Sequence, residues 1–109
     1  MSAISFNHEQ FQKALQENEY LLVDYWAPWC GYCRRIEPAY QKIAQQYNGK
    51  VLVAKVNIDD EPMLAHQQQI EVIPTLILYH KGEASAFVVA PESKAAIEAF
   101  IDQAMSAQG

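Results

Sequence analysis

YLLVDYWAPWCGYC, residues 20–33, is the stretch on which the reading of this chain turns. Its first half, Tyr20–Trp26, is almost continuously apolar and rich in β-branched and aromatic residues, the pattern of a strand covered on both faces. Ala27-Pro28-Trp29 interrupts it as a short loop. Beyond Cys33, the residues Ile36, Tyr40, Ile43, Ala44 and Tyr47 fall 4, 3, 1 and 3 positions apart, one stripe of an amphipathic helix. Pro38 lies inside that stripe and should kink the helix, and Asn48-Gly49 should end it. The two cysteines therefore stand where a buried strand gives way to a helix.

The same alternation extends in both directions. Upstream, Asn7 is a good N-cap, Gln10 can close a capping box, and Phe6 can staple onto Phe11. Phe11, Ala14 and Leu15 then share one face of a first helix ending near Asn18. Downstream, Val51–Ile58 reads as a second buried strand, and Asp60-Glu61-Pro62 opens a short helix with proline in its first turn. Pro74 precedes a third strand, Thr75–Tyr79, and Lys81-Gly82 turns into a fourth, Ala86–Ala90. Ser93 caps a last helix with Ile97, Phe100, Ile101 and Ala104 as its core stripe. Strands alternating with helices, then a hairpin and a final helix, imply an α/β protein: a central mixed sheet with helices on both faces and an early β-α-β unit that is parallel and right-handed. With no repeat or linker, residues 1–109 are expected to form a single domain.

Composition narrows the function. The chain has 109 residues, 50% of them hydrophobic, and a net charge of -5 from 8 Lys+Arg against 13 Asp+Glu. Disorder is excluded by the apolar fraction. The only adjacent basic pair is Arg34-Arg35, so no nucleic acid partner is expected. The longest apolar run, around Val72–Tyr79, falls far short of the ~18 residues of a membrane span, so no membrane association is expected either. His8, Glu9 and Gln10 interrupt any export-signal pattern, and a cytoplasmic location is the expectation.

Cys30 and Cys33 form a single Cys-x-x-Cys, which can be a redox dithiol, half of a zinc site, or coincidence. His8, His66 and His80 stand in no ligand spacing with the cysteines, which disfavours zinc, so no metal is expected. For a redox pair the placement suits the chemistry. Residues three apart on a helix lie ~5–6 Å apart at Cβ, close to what a disulfide needs. Cys30, at the helix start, would have its thiolate stabilised by unpaired N–H groups and the positive dipole end. Cys33 faces back into the domain and should be the poorer acid. One sulfur that attacks and one that resolves is the asymmetry that thiol–disulfide exchange requires.

With Trp26-Ala-Pro-Trp-Cys-Gly-Tyr-Cys33 after Val23-Asp24-Tyr25, the chain resembles the thioredoxin family. The likeness continues through Pro38, Ala54-Lys55-Val56-Asn57-Ile58-Asp59, Ile73-Pro74-Thr75, Lys81-Gly82-Glu83 and the terminal helix. The resemblance implies the thioredoxin fold and a thiol-disulfide oxidoreductase that reduces protein disulfides, with Cys30 as nucleophile and Cys33 as resolving cysteine. It implies that Asp24, a carboxylate inside an apolar strand, is the buried proton acceptor for Cys33, acting through water, and that Lys55 is its partner. It implies a cis Ile73–Pro74 bond packed on the dithiol, and a substrate-binding rim of Trp29, Gly31, Tyr32, Val72, Ile73, Pro74 and Ala90. Trp26 is read as structural. No bound cofactor is expected beyond the Cys30–Cys33 disulfide itself. The expected partners are disulfide-containing client proteins and an NADPH-dependent flavoprotein reductase, with the chain a monomer. Two other readings are a client-specific disulfide oxidase or isomerase, and a non-catalytic binding subunit.

Three departures from the family pattern surround the groove. Gly31-Tyr32 replaces Gly-Pro between the cysteines, Val72 replaces a glycine before Ile-Pro, and Ala90-Pro91 replaces a glycine in the loop before the last helix. Added bulk there predicts a narrower client range. Tyr32 also restores an N–H that proline lacks, which predicts a more stable Cys30 thiolate and a more oxidising couple.

Overall fold

The computed structural model describes residues 2–108. Its elements run β1 (Ile4–Ser5), α1 (His8–Glu17), β2 (Tyr20–Trp26), α2 (Gly31–Gln46), β3 (Leu52–Asn57), α3 (Pro62–Gln67), β4 (Thr75–His80), β5 (Glu83–Val89) and α4 (Lys94–Gln108). The five strands form one sheet in the order β1-β3-β2-β4-β5. β3 is parallel to both β1 and β2, while β4 is antiparallel to β2 and β5, so the sheet is mixed.

Alternation along the central strands assigns the two faces. Leu21, Val23 and Tyr25 of β2 join Phe11 and Ala14 of α1 and Leu64 of α3. Leu22 points the other way, into a cluster with Ile36, Tyr40 and Ile43 of α2 and Ile97 and Ile101 of α4. Each fully buried Leu, Ile or Phe in these layers contributes roughly 1.5–3 kcal/mol. Asp24 shares the parity of Leu22 and so belongs to the α2 face of the sheet.

The local signals act as the sequence suggests. Asn7 Oδ1 accepts the Gln10 N–H and Gln10 Oε1 accepts the Asn7 N–H, both at 2.8 Å, completing the capping box. Phe6 packs on the cluster that contains Phe11. Ser93 Oγ accepts the Ala96 N–H at 3.1 Å and starts α4. Pro62 begins α3, and Gly49 adopts φ 90° just past α2. Pro38 removes one intrahelical bond, yet α2 continues through it.

The structure corrects several boundaries. β1 has only two residues, too short to carry a strand pattern; its place at the edge is set by pairing Ile4 with Ala54. β3 is shorter by one residue at each end than Val51–Ile58, and β4 extends to His80. β5 begins at Glu83, three residues before the expected start at Ala86, and stops before Ala90. The cause is an irregularity: Leu78 pairs with Ala86 but Tyr79 with Ala84, leaving Ser85 without an opposite residue and its hydroxyl donating to the Leu78 carbonyl at 3.0 Å. Such a bulge breaks the alternation by which a strand is read. No helix among the described residues is long and apolar enough to cross a membrane.

Candidate active site

The parallel pair β2–β3 directs its C-terminal ends toward the start of α2, where Cys30 occupies the N-cap. Its backbone is extended (φ -86°, ψ 109°), and its Sγ accepts the N–H of Cys33 at 3.1 Å. Sulfur here does what Ser, Asp or Asn does at ordinary caps, satisfying one of the N–H groups a helix start leaves unpaired. The Cys30 N–H donates to the Ala27 carbonyl at 3.1 Å, which closes the loop beneath it. Cys30 and Cys33 are joined as a disulfide with Cα atoms 5.3 Å apart.

The sulfurs differ in surroundings. Cys30 is 9% exposed and Cys33 2%, and both pack with Ala27, Trp26, Tyr32, Ile58 and Ile73. Once the disulfide is reduced, the helix start stabilises a Cys30 thiolate. Burial in apolar contacts favours the neutral thiol at Cys33.

The α2 face of the sheet holds one carboxyl in an otherwise apolar layer. Asp24 is 1% exposed, and its Oδ1 has no hydrogen-bond partner among the described residues. Burial above all, then the Glu37 carboxylate, pushes its pKa up to about 7, and the Lys55 ammonium opposes them. Lys55 is the register neighbour of Asp24 on β3. Its Nζ is hydrogen-bonded to Glu37 and lies 4.2 Å from the centre of the Trp26 ring, so it acts on Asp24 through its charge and not through a hydrogen bond. Glu37 stands one helical turn after Cys33 on the face of α2 turned toward β3, so it can take the ammonium. In sequence it looks like any charge on a helix surface, and no signal short of the tertiary fold marks it.

On the outer side, Trp29 is 67% exposed, and its indole N–H donates to Asp59 at 3.2 Å, a second partner the sequence did not announce. A Cβ added at Gly31 would meet nothing within 4 Å. Ile73 packs on the dithiol cluster and the Ile73–Pro74 peptide is cis. Val72, 55% exposed, leads into an open groove of about 840 Å³ lined also by Thr75, Ile77, Phe87 and Val89.

Tyr32 departs from the exposed lip expected of it. It is half-buried, and its hydroxyl donates to the carbonyls of Pro91 at 3.0 Å and Ala90 at 3.3 Å. Ala90 in turn donates its N–H to the Pro74 carbonyl at 2.9 Å and sits at φ 48°. A left-handed alanine costs roughly 1–2 kcal/mol, so this loop is held by its partners and not by preference. In the disulfide form the N–H bonded to Cys30 Sγ is that of Cys33, the third helical residue, although a cap side chain can accept from the second, Tyr32, as well. Proline at position 32 would leave the Cys33 donor in place.

A dithiol capping a helix at the C-terminal end of the central strand of a mixed α/β sheet defines a thiol–disulfide oxidoreductase. Residues 2–103 match the thioredoxin family model. Thioredoxin 1 of Nostoc sp. is 41% identical over 92 residues, 84% of this chain and 86% of that protein. The thioredoxin of Porphyra purpurea is 35% identical over 107 residues, 97% of this chain and all of its own. Among solved structures, a mutant thioredoxin from Halobacterium salinarum superposes with a TM-score of 0.85 at 27% identity, covering 94% of this chain and 89% of its own. Plasmodium falciparum thioredoxin gives 0.86 at 26%, covering 93% and 98%. The chain belongs to the thioredoxin family, has the thioredoxin fold, and is a protein-disulfide reductase working through the Cys30–Cys33 pair.

Proposed function

We propose that residues 1–109 act as one monomeric domain that reduces client proteins from a Cys-Gly-Tyr-Cys centre, with a distinct role for each sulfur. The Cys30 thiolate attacks one sulfur of a client disulfide. The client S–S bond breaks, a Cys30–client disulfide forms, and the first client thiolate leaves and takes a proton from solvent. Asp24 then accepts the Cys33 proton. The Cys33 thiolate attacks Cys30 Sγ, the mixed disulfide breaks, and the second client thiolate departs. Two electrons have passed to the client, and the protein is left with the Cys30–Cys33 disulfide. An acceptor poised at about 7 is suited to this step, since near neutrality it is ionised often enough to take a proton and basic enough to hold it.

The open space above Gly31, the exposed Trp29 and the rim formed by Val72, Ile73, Pro74 and Ala90 support docking of an extended client segment over Cys30. Side chains at Val72 and Ala90, where the family pattern has glycine, narrow the range of backbones that approach closely. An NADPH-dependent flavoprotein reductase would return the electrons in the cytoplasm.

The observation that carries this assignment is the placement of Cys30 as the cap of α2, bonded to the more deeply buried Cys33. Dithiothreitol-driven reduction of insulin tests it. The unmodified protein should accelerate precipitation of the insulin B chain, and Cys30→Ser should fall to the uncatalysed background. Equal rates would sink the assignment.

A further inference from the structure

Glu37 is a charged group near the dithiol that the reaction above does not use. Its Oε2 accepts from Lys55 Nζ, and its Oε1 accepts from Gln41 Nε2 at 2.6 Å. Gln41 in turn accepts the Ala3 N–H at 2.8 Å through Oε1, so the carboxylate is held by α2 and by the chain leading into β1. The Lys55 and Glu37 side chains are 12% and 31% exposed. A partly exposed pair of this kind contributes only about 0–1 kcal/mol to stability. Its larger effect is on where the charge sits. Lys55 stands directly across from Asp24 in the β2–β3 register, where it could have paired with that carboxylate, and it is bonded to Glu37.

We propose that Glu37 is a positioning residue: it takes the Lys55 ammonium for itself and keeps a second carboxylate facing Asp24, so that Asp24 stays a usable proton acceptor and does not become the permanently ionised partner of Lys55. The proposal rests on the reading of Asp24 given above. The groups that face Asp24 can be named by element. β3 supplies Lys55, and α2 supplies Glu37 and Tyr40, while the β4 neighbour is the apolar Leu76. The Tyr40 hydroxyl is committed to the Ala54 carbonyl at 2.6 Å and the Leu22 carbonyl at 3.3 Å, and burial raises its pKa further. Lys55 and Glu37 are therefore the two groups able to set the charge state of Asp24, and they act in opposite directions.

Glu37→Gln keeps an oxygen that can accept from Lys55 but removes the negative charge. The test is a carbon-13 titration of the Asp24 carboxyl in the oxidised protein, where neither sulfur titrates. The midpoint should fall by about one pH unit in Glu37→Gln, and in Lys55→Met it should rise. An unchanged midpoint in Glu37→Gln overturns the proposal. Release from a mixed disulfide, followed against pH, separates this inference from the reading beneath it. If the midpoint falls and the acid limb of release falls with it, both stand. If the midpoint falls and release does not follow, Glu37 does tune Asp24, and it is the acceptor role of Asp24 that fails. If Glu37→Gln still shifts the release profile in an Asp24→Asn background, Glu37 acts on the thiol directly and the proposal is wrong.

Discussion

The two sides of the dithiol are built on opposite principles. Toward the sheet, Asp24, Lys55 and Glu37 place three ionisable groups in or at the edge of a packed layer, where charges are desolvated and felt over several ångströms. Toward solvent, Trp29, Val72 and the Ala90-Pro91 loop present a mostly apolar rim joined by single hydrogen bonds. The inner side sets when a proton moves. The outer side sets which chain can approach the sulfur. Substitutions on the inner side should therefore change pH dependence and stability together, whereas substitutions on the rim should change client preference and leave the potential of the couple alone.

Asp24→Asn is the strongest way to break the inner side. Asp24 has a folded pKa of about 7 against an ordinary 3.8. The native state thus holds a proton that the unfolded chain has lost, and stability falls as pH rises through that window. Removing the carboxylate should stabilise the protein by a few kcal/mol at pH 8, with the gain shrinking toward zero near pH 4. Chemical denaturation at the two pH values checks this. Resolution of a mixed disulfide should slow by roughly 100-fold, the low end of what a positioned base contributes. A variant that is stabilised yet resolves normally would make Asp24 a structural passenger.

Tyr32→Phe probes the outer side and should have the smaller effect. It keeps the ring packed between the dithiol and the main core but removes the hydroxyl that ties α2 to the Ala90-Pro91 loop. Loss of one such bond should cost about 1 kcal/mol in denaturation. Rates with protein clients should change by a few-fold, while reduction of a small aromatic disulfide and the equilibrium potential against glutathione stay the same. A shift in potential would show that the two sides are coupled in a way the hydrogen bonds do not reveal.

Legibility in the sequence follows the same division between local and distant causes. β2, the capping box of Asn7 and Gln10, the Ser93 cap and the Cys30 cap all depend on neighbours within a few residues, and they are readable as pattern. What the pattern misses depends on contacts formed only in the fold. Glu37 finds Lys55 across 18 residues, and Tyr32 finds Pro91 across 59. β1 is a strand only because β3 lies beside it, and β5 hides its first residues behind the bulge at Ser85. The Tyr32 N–H is a case of another kind. Cap geometry, a local rule, lets the Cys30 side chain accept from the second or the third helical residue, Tyr32 or Cys33, and only the fold shows Cys33 as the donor in the disulfide form.

The claim on which the mechanism stands is that the two sulfurs are unequal, and alkylation tests it most directly. The reduced protein, given a limiting pulse of iodoacetamide at pH 7 and mapped by mass spectrometry, should carry the label on Cys30 over Cys33 by more than about tenfold, the ratio set by one pKa unit of thiolate stabilisation. Equal labelling, or preferential labelling of Cys33, would contradict the assignment of attacking and resolving sulfurs.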